Sequence, residues 1–471
     1  MDSNADNQKY TVICSERVVI GNTLVPATVH FENGVIVKVE DGTATAPPEG
    51  AVFHDFGDLV IMPGVVDSHV HINDPGRTAW EGFPSATQAA AAGGVTTLVD
   101  MPLNCSPVTT TLDALKLKQD HSKDKLWVDV ALLGGIVPNN AQEISPMVHA
   151  GVVGFKAFMV HSGIDEFPHV EEEHIRAAMS ELKKLQDQGR DVVFMFHAEV
   201  GGPIDEANKS LSEHSCSSSK YETFLRSRPK EAENEAIALV IRLCREYRVR
   251  CHIVHLSSSD AVAMLRAAKE EGLPITAETT YHYLYFSAED VPDGNTLFKC
   301  CPPIREKNNR DKLWQALEDG VITQVISDHS PCTTDLKLLE DGDFLKAWGG
   351  ISSLQLGISI VWTQAKKRGF TVPQLAQWMC LQTAELVKLD AKKGSIEVGK
   401  DADFVVWCPE EEFVVEEDAL FIQNKKTPYH GEKMSGTVKR TFLRGQLIYQ
   451  TNVDCAPSTG PLGQLVLPSS P

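Results

Sequence analysis

The chain has 471 residues, 42% hydrophobic and 23% charged, and 44 basic against 64 acidic side chains leave a formal charge of −20. That length exceeds one ordinary domain, and that charge excludes a non-specific nucleic-acid binder, which needs a positive field to meet phosphates. No apolar run approaches the roughly 20 residues that cross a bilayer, and eleven cysteines without a Cys-x-x-Cys pair argue for reduced thiols rather than a disulfide framework.

The first residues, MDSNADNQKY, carry neither a basic start nor an apolar segment, so a cytoplasmic protein is expected, with peroxisomal or mitochondrial import as the alternatives. From residue 9 to 60 the chain alternates like a small β-rich unit, with strands at 10–20, 27–31 and 35–39 and a hairpin turn at 32–35 (ENGV). This piece is too short to bury a core alone. Its counterpart lies at the far end, where 403–407 and 439–449 read as strands behind the polar turn GSIEVGK at 394–400. One small β-sandwich is expected, built discontinuously from 1–62 and 390–455, with a large domain at 63–389 between them and a flexible tail at 456–471.

Within the large domain, apolar runs alternate with amphipathic helical stretches. The runs are 65–71, 95–101, 127–133, 152–159, 191–197, 250–255, 275–279 and 322–328, and helices are expected at 85–92, 172–188, 231–247, 259–271 and 310–317. Eight such units predict an α/β fold, a (β/α)8 TIM barrel. The polar stretches 201–229 and 333–346 are expected to be loops at its catalytic mouth.

In such barrels chemistry lies where the strands end. The first run closes the stretch PGVVDSHVHINDPG at 63–76 with His69 and His71, one residue apart and so on one face of a strand. Two neutral imidazoles on one face make half of a divalent-metal site. The fifth run ends in His197 (VVFMFHAE), the sixth in His255 (HIVHLS) and the eighth in Asp328 (VISDHS). Singly, the histidines would pass for core residues and Asp328 for a helix cap; their arrival at independent strand ends argues for metal ligation. His252 and His329 face the other way and read as structural.

Lys156 lies in the fourth run between Phe155 and Ala157. A buried ammonium is costly, so its pKa should fall. A neutral amine can add carbon dioxide to give a carbamate, whose two oxygens can bridge two metals. A lysine snorkelling to the surface is the alternative. Beside five metal-type side chains a retained cation would repel the ions, which favours the carbamate.

The motifs PGVVDSHVHI, GFKAFM, HAE, HIVHLS, SDHSP and the closing GKDADFVVW resemble the cyclic amidohydrolase branch of the amidohydrolase superfamily. DPGRTAWEGF (74–83), MPLN (101–104), CCPPIR (300–305), SDHSPC (327–332) and KAWGGI (346–351) are most similar to the allantoinases within it. The resemblance implies two divalent metals, usually zinc. His69, His71, Asp328 and carboxylated Lys156 would hold the first, and Lys156, His197 and His255 the second. It also implies opening of the hydantoin ring of allantoin to allantoate in purine degradation, Asp328 acting as catalytic base and then acid, in a homotetramer. The partner would be a small cyclic ureide, with no nucleic acid and no membrane.

Dihydroorotases typically carry an arginine two residues after the second histidine, where this chain has Asn73; dihydropyrimidinases typically place a tyrosine five residues after the lysine, where it has His161. Substrate contacts are expected from Asn104, His161, Ser162, Ser327, the carbonyl of Pro302, and Arg77, for which a loop salt bridge is an equal alternative. A hydantoinase or dihydropyrimidinase acting on other cyclic ureides is the runner-up. A non-catalytic scaffold of the same fold comes third, because such relatives lose the ligands that this chain retains.

Overall fold

Runs of Val, Ile, Phe and Leu that are apolar on both faces suit strands covered from both sides, as in a parallel barrel. The computed structural model describes residues 10–46, 48–214, 216–451 and 460–468, and it contains eight such strands. They are β1 (Val65–Val70), β2 (Val95–Asp100), β3 (Asp129–Leu132), β4 (Gly154–Phe158), β5 (Val193–His197), β6 (Cys251–Ile253), β7 (Ile275–Thr280) and β8 (Gln324–Ile326). Neighbouring strands run parallel, as one arc from β1 to β3 and another from β4 to β8. The two-residue strand Gly134–Gly135 follows β3 and pairs with Phe155 and Lys156 of β4. The ring closes where the His71 amide donates to the His329 carbonyl at 2.9 Å. The expected (β/α)8 barrel is what the chain builds.

Helices Phe83–Ala92, Glu172–Asp187, Lys230–Tyr247, Val262–Glu270 and Lys307–Glu318 follow the expected ones within three residues at each end. In Glu172–Asp187 the buried residues Ile175, Ala178, Met179, Leu182 and Leu185 recur at helical spacing, which is why the pattern was legible. The stretch 201–229 departs from its expectation as a loop, because Gly201–Glu213 and Tyr221–Ser227 are helices. The first buries only Ile204 and Leu211, two turns apart, and its polar remainder reads as loop composition. The stretch 333–346 opens with a single 3-10 turn, Thr334–Lys337, and goes on in turns. Helices Leu112–Ser122 and Gly357–Lys367 were not anticipated at all. No helix among the described residues is long and apolar enough to cross a membrane.

Both ends of the chain meet in one mixed sheet. Its order is Gln446–Gln450, Lys433–Leu443, Phe404–Val414, Val60–Pro63, Thr11–Ile20, Thr23–Glu32 and Val35–Asp41, with Val52–Asp55 alongside Thr11–Ile20. The two layers of the expected sandwich are therefore one continuous sheet, curled until Phe31 meets Phe404 at 5.6 Å over Ile13, Val29, Ile36 and Phe442. The 32–35 turn has Asn33 and Gly34 at φ 52° and 79°, the paired left-handed conformation of a tight hairpin. A Cβ on Gly34 would also come within 3.0 Å of the Arg444 side chain. Only Gly64 separates Val60–Pro63 from β1, so this sheet carries the barrel's first strand directly.

The expected flexible tail needs correction where the structure describes it. Residues 460–468 lie along β3: Gly463 N donates to Leu126 O, Val130 N to Gln464 O and Val466 N to Val130 O, at 2.8–3.0 Å. Among the described residues β3 has a paired strand, β2, on one side only, and on its other edge the tail satisfies the amide and carbonyl of Val130. Residues 456–459 and 469–471 of that expectation lie outside the described residues. Beneath the barrel, Lys393 reaches Asp129, Asp401 and Asp403 at 2.6, 2.9 and 2.7 Å. Three converging carboxylates resemble a cation site, but the buried ammonium already fills it and ties the barrel to the sheet.

Candidate metal centre

The strand ends bring five metal-type side chains together and point the lysine at them. His69 lies on β1 and His71 just beyond it; His197 is the last residue of β5; His255 and Asp328 follow β6 and β8 by two residues each. His69 stands 5.6 Å from His71 and 5.4 Å from His255 between ring centroids, and His197 stands 4.6 Å from His255. The Asp328 carboxylate lies 3.3 Å from His69 Nε2 and 3.5 Å from His71 Nε2, and Ser330 Oγ donates to it at 2.9 Å. His255 and Asp328 adopt left-handed backbone at φ 37° and 43°. Such conformations are strained for residues with a Cβ and concentrate at functional sites.

Burial governs the electrostatics. It holds the imidazoles of His69, His197 and His255 below their ordinary pKa, with the Lys156 charge adding to the effect, so they are neutral and able to ligate. Burial alone would raise Asp328, but His69, the hydrogen bond with His71, and His255 hold it well below the usual carboxylate range. Lys156 is 0% exposed, and burial pulls its pKa down to about 8 against the opposing fields of Asp328 and Glu278. Its Nζ makes no hydrogen bond among the described residues and sits 5.1 Å over the Phe158 ring. His69 Nε2 and His255 Nδ1 likewise lack a hydrogen-bond partner. The donor atoms of His69, His255 and Asp328 lie within 4.8 Å of one another. Unpartnered buried nitrogens beside an ionised carboxylate fit a divalent cation.

Several residues that hold the site were missed from sequence. Glu278 on β7 accepts from His69 Nδ1 at 2.6 Å and from His252 Nε2 at 3.0 Å, and these two imidazoles bring its pKa to about 2 although burial alone would raise it. The bond fixes the His69 tautomer that leaves Nε2 facing the cluster. His252, read as structural, thus holds the holder. The signal was present: a glutamate inside ITAETT is as anomalous in a buried strand as Lys156 in GFKAFM. Glu199, in the quoted HAE, accepts from His197 Nε2 at 2.7 Å and from Arg228 at 2.8 and 3.1 Å. His329 turns away to Glu81 at 2.9 Å. Glu278→Gln, which keeps the shape and removes the charge, should weaken divalent-metal binding about 10- to 100-fold, read by chelator competition. Unchanged affinity would mean that Glu278 does not orient His69.

Above the cluster opens a cleft of about 510 Å³, within the range of small-molecule sites. Of the expected substrate contacts, Asn104, His161 and Ser162 line it. Asn104 Nδ2 lies 3.2 Å from His71 Nδ1, whereas the Ser162 hydroxyl already donates to Ile164 O and Phe167 O. The other three do not line the cleft. Arg77 is bound to Glu166 at 3.0 Å and lies over Trp80, so the salt-bridge alternative describes it. The Pro302 carbonyl accepts from Tyr283 Oη at 2.6 Å. Ser327 is fully buried and donates to the His69 carbonyl at 3.3 Å. Arg228, Lys299, Cys301 and Trp348 line the cleft unforeseen.

The Amidohydrolase family pattern matches residues 60–448. A probable allantoinase 2 of Dictyostelium discoideum is 48% identical, covering 96% of this chain and 92% of its own length. The allantoinase of Saccharomyces cerevisiae is 42% identical over 97% and 98% of the two chains. Among solved structures, the L-hydantoinase (dihydropyrimidinase) of Arthrobacter aurescens superposes with a TM-score of 0.90 at 28% identity, covering 97% of this chain and 99% of that one.

Proposed function

This chain belongs to the amidohydrolase family, and on that premise we propose that it is an allantoinase, hydrolysing the hydantoin ring of allantoin to allantoate. The observation that carries the reading is the meeting of four histidines, Asp328 and the unpartnered Lys156 beneath one cleft. The names of the relatives just described, alike over nearly the whole chain, supply the substrate. His69, His71, Lys156, His197, His255 and Asp328 would hold two zinc ions, Lys156 as a carbamate shared between them. When bound, such ions supply polarisation of the scissile carbonyl and a water acidified toward a pKa of about 7.

The protein's own part is proton handling and placement. Asp328, ionised and steadied by Ser330, accepts the proton of the attacking water and returns it to the departing ring nitrogen. Asn104, braced against His71, offers its side-chain amide at the cleft wall. We assign a homotetramer in the cytoplasm to this reading. Light scattering and fractionation test those assignments, and a relative from Aquarana catesbeiana named as a mitochondrial allantoinase, 49% identical over 82% of this chain and 77% of its own length, marks the other compartment to examine.

The second reading, a hydantoinase or dihydropyrimidinase, is favoured by the fold likeness to the Arthrobacter enzyme. Steady-state kcat/KM on allantoin, hydantoin and dihydrouracil, with metal content measured on the same preparation, decides between them. Allantoin should dominate with close to two metals per chain. Dominant dihydrouracil turnover would overturn the choice, and absence of both metal and ureidase activity would point to the scaffold.

A further inference from the structure

One wall of the cleft is the stretch 345–350, and two buried lysines hold it from behind. Lys299 Nζ donates to the carbonyls of Leu345 at 3.1 Å and Ala347 at 2.6 Å. Lys337 Nζ donates to those of Trp348 at 3.2 Å and Gly350. Four of six consecutive carbonyls are therefore drawn onto two ammonium groups, exposed by only 7% and 6%. The backbones are tied as well, since Gly350 N donates to Lys299 O and Trp348 N to Leu336 O, both at 2.8 Å.

Neither lysine forms an ion pair with a carboxylate among the described residues. Asp343, whose field Lys299 feels, binds Lys346 and the amides of Leu345 and Lys346 instead. Burial accordingly pulls the pKa of both lysines down, that of Lys299 to about 8. Neutral amide side chains could satisfy the same carbonyls without desolvating a charge, so two unpaired buried cations are an expensive way merely to hold a surface loop. What this loop carries is functional. Trp348, which lines the cleft, meets Trp80 edge-on at 4.9 Å and lies 3.4 Å from where a Cβ on Gly163 would be, joining the loops after β1, β4 and β8.

We propose that Lys299 and Lys337 are positioning residues, a paired clamp that fixes the 345–350 wall in the shape that receives substrate. The ligands stand on the strands or within two residues of their ends, outside the 345–350 wall, so loosening the wall should weaken substrate binding more than the chemical step. Lys337 is the cleaner probe because it does not line the cleft, whereas Lys299 does.

Lys337→Met should raise KM for allantoin at least tenfold, with kcat within threefold and metal content unchanged, and should speed amide hydrogen exchange across 345–350. Lys337→Gln, a neutral donor, should recover part of the lost affinity. A folded Lys337→Met with unaltered KM would refute the clamp. If neither variant folds, exchange on the unmodified protein decides: protection of 345–350 comparable to the barrel strands is expected, and rapid exchange refutes the proposal. The KM measurement rests on allantoin being the substrate, but the exchange measurement does not. Unmodified protein inert toward allantoin would therefore sink the functional reading while leaving the clamp to be judged by exchange.

Discussion

Lys156→Ala should cost about 10³-fold or more in allantoin turnover, the several kcal/mol that a lost bridging anion represents, and a short carboxylic acid such as acetate should restore part of it. The argument is one of charge. Lys156 is fully buried and has no hydrogen-bond or ion-pair partner among the described residues, yet Phe158, stacked 4.4 Å from His197, places it against the cluster. As an ammonium it would oppose every cation the histidines could hold; as a carbamate it would add two oxygen donors where the cluster has one carboxylate. Alanine leaves a gap that a free carboxylate can enter. Rescue that grows with acid concentration and saturates, accompanied by recovered metal content, is the expected result. Loss of activity with full metal occupancy and no rescue would show that the amine, and not an anion, is what the site uses.

Asp328→Asn carries the second large effect. Asparagine preserves the size and the acceptor for Ser330 but cannot take a proton, and general-base contributions run to roughly 10²- to 10⁴-fold. That fall is expected in kcat, with a much smaller change in KM, because Asp328 acts on the proton and not on the ureide ring. Retained metal with lost turnover would separate the base from the ligand role. Activity within tenfold of the unmodified protein would hand proton transfer to another group.

The barrel was legible because its strands are apolar on both faces and its long helices, such as Glu172–Asp187, keep one stripe. The metal-type residues were legible because polar side chains in such runs have no innocent explanation. Glu278 escaped although the same reasoning exposes it, since it follows β-formers that read as an ordinary edge. Arg77, Pro302 and Ser327 fall outside the cleft lining for a different reason. Sequence places them near the mouth, but whether a polar group is free is decided by partners distant in the chain, such as Glu166, 89 residues beyond Arg77. The helix Gly201–Glu213 hid because two buried residues are enough to seat it. The Lys299 and Lys337 clamp had no local signature, being four hydrogen bonds to backbone.

The pairing of 460–468 with β3 has a practical consequence for anyone handling this protein. Trimming the chain behind Thr451 would bare the flank of β3, where Gln464 O and Val466 N supply the hydrogen-bond partners of Val130, and a naked flank invites strands from neighbouring molecules. Shortened versions should therefore precipitate before they lose catalysis, and purification handles belong at the opposite terminus.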